Sequence, residues 1–176
     1  MKIKSSTRTN IYFAAVLAVL VTVMALYATS DAVVASTRNA TATGEVPFRA
    51  LMMGSGEFTS GTTVEFHTTG LATHLGRFVA TGFALLDPPT GMCPGGPNVP
   101  NVHTEALTAA NGDELVIEMT NIACPTGPYT YHGIGHWTII RGTGRLQNAT
   151  GHGTNEGHAD FENHTFEMAY TGTLDY

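Results

Sequence analysis

The last third of the chain, Gly142 to Tyr176, reads GTGRLQNATGHGTNEGHADFENHTFEMAYTGTLDY. In its closing run Phe166, Met168, Tyr170, Gly172 and Leu174 share one parity, while Thr165, Glu167, Thr171, Thr173 and Asp175 share the other, with Ala169 among them. A side-chain period of two belongs to a strand, with one face on a core and the other on solvent or a polar lumen. Gly-Thr and Glu-Asn-His breaks separate such runs, as in short antiparallel strands joined by tight turns.

The same reading places strands at Glu45–Met53, Thr62–Thr69, Arg77–Leu86, Val102–Ala109, Glu114–Ile122, Tyr129–Ile140, Asn148–Asp160 and Thr165–Tyr176. Asn111-Gly112-Asp113 predicts a hairpin turn, because Asn and Gly tolerate positive φ. Glu162-Asn163-His164 predicts another. No amphipathic helix of useful length follows residue 35. Eight strands at short spacing suit a closed antiparallel barrel, which has no edges. A two-sheet sandwich fits the same pattern. In Arg77–Leu86 both faces are apolar: Phe78, Ala80, Ala84 and Leu86 oppose Val79, Phe83 and Leu85. Such a strand is expected to be covered on both sides, by the Asp87–Asn101 loop or by another subunit.

The N-terminus predicts export. Lys2, Lys4 and Arg8 precede an uncharged, mostly apolar run, Ile11 to Ala28, and small residues follow, with Val33 and Ala35 spaced for cleavage before Ser36. Residues 1–35 are read as a signal peptide, 36–44 as a flexible lead-in and 45–176 as one barrel domain. About 18 apolar residues also suffice to span a bilayer, so an uncleaved membrane anchor is the competing reading. Both readings put the domain outside the cytoplasm, in the periplasm, on the cell surface or secreted. From Ser36 onward the chain carries five arginines, no lysine and thirteen acids. A domain of this charge is repelled by phosphate backbones and anionic membrane surfaces, so nucleic acid is not an expected partner.

Cys93 and Cys124 are the only cysteines, each in a turn-rich context, Met-Cys-Pro-Gly-Gly and Ala-Cys-Pro-Thr-Gly. In an exported domain an even pair predicts one disulfide. It would pin the proline-rich loop Asp87–Asn101 to a strand end.

Two segments carry a resemblance. Ala72–Phe78 reads ATHLGRF and Gly142–Gly151 reads GTGRLQNATG. With Tyr170–Leu174 they resemble a group of exported bacterial proteins of undefined activity. The GTGR-x5-G segment is also similar to the GGTGxFxxAxG stretch of allene oxide cyclases and plant dirigent proteins. The resemblance implies an eight-stranded calycin-like barrel, often trimeric. Arg141 stands where a glycine is usual and Leu146 where a phenylalanine is usual. No catalytic residue of either plant family maps onto a position here, so the resemblance implies a fold and transfers no activity.

Gly142-x-Gly144 lacks the surrounding βαβ unit of a dinucleotide fingerprint, and no cofactor is expected. Ser36, Ser55 and Ser60 lie in no nucleophile-elbow context. Histidine is the unusual enrichment, with eight, all after residue 35. His132, His136, His152 and His158 are candidate metal ligands, since imidazole suits zinc or copper. Four positions along a strand span about 13 Å, however, so ligation would need convergence from neighbouring strands. The alternative is scattered histidines making ordinary hydrogen bonds. Tyr131, His132, His136 and Trp137 are the candidate ligand site: the strand holds the only tryptophan, and Gly133 and Gly135 leave room beside it. Because adjacent strand residues face opposite ways, that site requires a bulge at Gly133–Gly135 or a place on the barrel rim.

These features favour a non-catalytic binding or envelope-associated barrel with a cavity for a small hydrophobic ligand, and a homo-oligomer as an assembly. The alternatives are an isomerase or cyclase that orients a hydrophobic substrate, and a His-based metal-binding module.

Overall fold

The computed structural model describes residues 44–176. The expected signal peptide, the expected cleavage site before Ser36 and the lead-in, apart from Gly44, lie outside the described residues. Ten strands occur in chain order: β1 (Val46–Phe58), β2 (Thr63–Ala72), β3 (Gly76–Leu86), β4 (Met92–Cys93), β5 (Gly96–Pro97), β6 (Val99–Ala109), β7 (Glu114–Pro125), β8 (Thr130–Gly142), β9 (Thr150–Asp160) and β10 (Thr165–Asp175). Eight of them close into an antiparallel barrel in the order β1-β10-β9-β8-β7-β6-β3-β2, and β4 and β5 form a separate two-stranded hairpin. Every long strand therefore pairs with its neighbour in sequence, apart from the β4–β5 excursion, and β10 closes on β1 from Val46↔Leu174 to Ser55↔Thr165. The architecture is a barrel and not a sandwich.

Parity sets the lumen. Even-numbered residues point inward on β1, β2, β3 and β10, for example Phe48, Phe66, Phe78 and Tyr170; odd-numbered residues do so on β6 to β9, for example Leu107, Ile117, Trp137 and Asn155. The two ends differ. At the lower end, where Val46, Ala109 and Gly142 lie, the chain folds a 3-10 turn, Gly144–Leu146, under the barrel. Leu146 is buried there with Leu75, Leu115, Ala149 and Leu174 and fills the opening. The GTGR segment makes this plug. Gly144 sits at φ +58°, and a Cβ on it would strike Asp113. Arg145 Nε donates to Asp113 Oδ2 at 2.7 Å, and the Glu114 N–H donates to Thr143 Oγ1 at 2.9 Å.

The THLG segment turns β2 into β3 at the same end. His74 takes φ +69°, its Nε2–H donates to the Pro47 carbonyl at 3.2 Å, and the Tyr176 hydroxyl lies 3.0 Å from Nδ1. Both expected turns form. Gly112 has φ +86°, with its N–H on the Ala109 carbonyl at 2.9 Å. Asp160 Oδ1 accepts the Glu162 and Asn163 N–H groups and lets His164 adopt φ +54°.

Cys93 and Cys124 are bonded across a sequence separation of 31. The bridge ties the β4–β5 hairpin to the upper end of β7. The loop folds over that end and does not reach the outer face of β3, which corrects one expectation: Val79, Phe83 and Leu85 are 57%, 43% and 49% exposed. The expected bulge also moves. Gly133 and Gly135 pair regularly with Ala123 and Asn121, and the register slips between Val116 and Ile117, where Ile140 is the extra residue on β8.

Candidate functional site

Above the plug the lumen is filled to about mid-height. Trp137 sits at the centre, 5.3 Å from the Phe48 ring and 6.3 Å from the Tyr170 ring by centroid, with its indole N–H donating to the Thr154 carbonyl at 3.0 Å. Glu105 lies inside with 0% exposure. The Tyr170 hydroxyl donates to its Oε2 at 2.7 Å and the Thr68 hydroxyl approaches Oε1 at 3.3 Å. Loss of hydration pushes the carboxyl up to about 7, against the two hydroxyl bonds that pull it down. Burial and the adjacent carboxyl raise the Tyr170 phenol well above its usual value.

Toward the upper end the side chains thin out and a cavity of about 110 Å³ opens. Its walls are apolar: Val64, Phe66, Ala84, Phe166 and Met168 line it, with Phe58, Tyr131 and Phe161 at the mouth. Phe66 and Phe166 lie 4.2 Å apart by centroid, and Phe161 touches both Phe58 and Tyr131. Gly133 and Gly157 face the space and leave it open.

The polar groups are few and nearly fully buried. Asn155 Nδ2 donates to Asn121 Oδ1 at 2.7 Å, Asn121 Nδ2 donates to Asn101 Oδ1 at 3.3 Å, and Asn101 Nδ2 donates to the Val99 carbonyl at 3.3 Å. The His103 ring lies tilted against Phe66, 4.7 Å away by centroid. Asn155 Oδ1 and His103 Nε2 are buried without a protein partner. Burial holds the His103 imidazole down at about 3, so it is neutral through the physiological range. An unpaired polar atom in such a place costs about 1–3 kcal/mol.

The structure separates the four residues of the expected site. Tyr131 lines the mouth of the cavity. Trp137 is core, 1% exposed, well below it. His132 and His136 face outward on β8. His132 Nε2 lies 2.8 Å from Glu156 Oε1, and its ring stacks on His158 at 4.7 Å. His136 is opposite Thr154, and His152 opposite Thr138, lower on the same wall. Among the described residues no group of three or more His, Cys, Asp or Glu side chains is placed to hold a metal.

Sequence reasoning missed Asn101, His103, Asn121 and Asn155. On β6 the odd positions of the upper half are Asn101, His103 and Glu105, and the even ones are Val102, Thr104 and Ala106. Polar residues on one face read as solvent-facing, yet this face is the lumen. The usable signal was parity inherited from Leu107 and Ala109, which are apolar and continue the same face downward.

No protein-family model, no curated protein and no solved structure matches the chain.

Proposed function

We propose that this chain is an exported, non-catalytic barrel that binds a small molecule in its upper lumen. The observation that carries the reading is the cavity itself: apolar walls with few polar residues, Asn101, His103, Asn121 and Asn155, among those that line it. The titratable residues that line it, His103, Tyr131 and His158, do not form a catalytic set, since the His158 side chain points outward against His132. His103 is too weak a base at neutral pH for proton abstraction, and Glu105 is sealed behind Tyr170 and Thr68. The isomerase or cyclase alternative therefore has less support. The resemblance to the allene oxide cyclase and dirigent barrels enters as kinship of fold, supported by the eight-stranded closure and by the plug built from GTGR.

Export rests on the N-terminal pattern and agrees with the disulfide, which persists in oxidising compartments. A homo-oligomer is supported by the uncovered apolar outer face of β3. The binding test is a screen of small ring compounds against the labelled protein by amide NMR. Binding should shift Gly133, Asn155 and Gly157. Shifts confined to the outer surface, or none with any compound, would refute the reading. Export is tested by N-terminal sequencing, which should begin near Ser36. Recovery only as a membrane-integral chain starting at Met1 would favour the anchor.

A further inference from the structure

On the outer wall, away from the lumen, strand pairing sets two histidines side by side. His132 on β8 and His158 on β9 are direct cross-strand partners. Both are even-numbered, so both leave the barrel on the same face. Their rings stack 4.7 Å apart by centroid, with 26° between the planes. Opposed residues on adjacent strands hold their Cβ atoms about 4.5–5.5 Å apart. From such a base two imidazole nitrogens can reach one metal ion at about 2.0–2.1 Å each. His158 is exposed and the His132 side chain is 32% exposed, which leaves both rings room to turn out of the stack until their lone pairs converge.

The groups around the pair set its proton and its charge. His132 Nε2 lies 2.8 Å from Glu156 Oε1. An ionised carboxylate only accepts, so Nε2 carries the hydrogen, and in the neutral ring the lone pair is then on Nδ1. Metal-ligating histidines are held in this way, with the second nitrogen on a carboxylate that fixes ring and tautomer. Glu167 on β10 is the direct partner of His158 on its other side. Cys124, opposite His132 on β7, is tied in the disulfide and offers no thiolate. The outward residues that flank the pair along its own strands are Thr130, Ile134, Glu156 and Asp160, none of them basic. A cation therefore meets imidazole nitrogen and negative charge, and no like charge.

The other two histidines of this wall provide a contrast. His136 faces Thr154 and His152 faces Thr138, so they are diagonal neighbours, about 7–8 Å apart and not opposed.

We propose that His132 and His158 bind one divalent transition-metal ion, with Glu156 as the positioning residue behind His132. Among the described residues no third ligand converges with the pair, so solvent fills the remaining coordination positions. Imidazole donors favour copper over nickel and zinc, and any of these over calcium and magnesium, which take oxygen. The site stands apart from the lumen reading, because its side chains point away from the cavity.

Calorimetric titration of the untagged full chain should show one saturable site for Cu²⁺. Zn²⁺ should bind the same site more weakly, and Ca²⁺ and Mg²⁺ should displace neither. Because Cu²⁺ is paramagnetic, substoichiometric amounts should broaden the His132 and His158 NMR signals first. His132→Ala and His158→Ala should each abolish the site, while the His136→Ala/His152→Ala double variant should bind as wild type does. Glu156→Ala should weaken copper binding by about tenfold, and Glu156→Gln, which keeps an acceptor oxygen, should recover part of that loss. Should a variant fail to fold, the metal series and the broadening in the wild-type chain decide by themselves. The absence of a saturable copper site, displacement of copper by calcium, or broadening centred on other histidines overturns the proposal. Binding that survives in the His132 and His158 variants overturns it too. Unchanged affinity in Glu156→Ala overturns the positioning role and leaves the histidine pair standing.

Discussion

Two buried ionisable residues, adjacent on one face of β6, pull stability in opposite directions with pH. Glu105 has its folded value raised from 4.5 to about 7, so its stabilising contribution is complete below pH 4.5 and is lost as pH rises through about 7. His103 has its folded value lowered from 6.5 to about 3, so its contribution is complete above pH 6.5 and is lost as pH falls toward about 3. A tenfold difference in proton affinity between the folded and unfolded chain corresponds to about 1.4 kcal/mol. Between pH 4.5 and 6.5 the two slopes cancel, which gives the native protein a flat stability profile from this pair. Glu105→Gln should expose the histidine, with stability rising up to pH 6.5 by about 1.4 kcal/mol per pH unit relative to wild type in that window. His103→Phe should expose the glutamate, with stability falling between pH 4.5 and 7. Urea titrations at half-unit pH intervals check both, and parallel profiles for wild type and variants would contradict the assignment. Trp137→Ala is a control of a different kind. It removes the central lumen side chain and should cost about 3–5 kcal/mol at every pH.

At the scale of elements, the legible features were those whose physics is local. Alternation located all eight barrel strands, within two residues at most ends, and Asn-Gly-Asp located the β6–β7 turn. The strands that ran longer than expected, such as β1 to Phe58 and β6 from Val99, do so through glycines and prolines that read as breaks. In the barrel these residues are lumen-facing spacers or sheet ends. What was illegible depends on neighbours. Trp137 and His136 looked like partners because they are adjacent in sequence, and strand parity sends them to opposite faces. The outer face of β3 looked like a second core face, and nothing within the described domain covers it. The β4–β5 hairpin has two residues per strand and no periodicity to detect; the disulfide holds it, and Gly95 packs so closely that a Cβ there would strike the Pro125 carbonyl. Replacing Cys93 and Cys124 together by Ser should therefore cost about 2–4 kcal/mol by chemical denaturation, given the 31-residue separation. Gly95→Ala should leave the barrel folded but weaken the hairpin's docking, seen as faster cleavage by a protease within Pro88–Gly96. Equal cleavage rates in the two proteins would show that the hairpin is held by the disulfide alone.

Across the whole domain, closure and filling act on different parts of the barrel. Every long strand has both neighbours, so backbone pairing is continuous around the circumference and no edge invites another chain. Side-chain filling is uneven. Below mid-height the lumen holds Phe48, Trp137, Ile117, Leu107 and the Leu146 plug, all 1% exposed or less. Above it lies the cavity, faced by Gly133 and Gly157, where strands have fewer inward atoms to hold them. Local opening should thus cost less at the upper end, although the hydrogen-bond ladder is intact there. The Cys93–Cys124 bridge opposes this by clamping the upper end of β7 to the hairpin. Native-state hydrogen exchange should show the slowest amides in the lower half, around Ile117, Leu107 and Tyr170, and faster exchange at Gly133 and Gly157. Reducing the disulfide should speed exchange in the upper set and leave the lower set unchanged under conditions where the barrel stays folded. A ligand in the cavity should do the reverse, slowing the upper set by a factor that grows with its concentration over Kd. Uniform protection along the strands, unmoved by reduction, would mean that closure governs local stability and that filling contributes little.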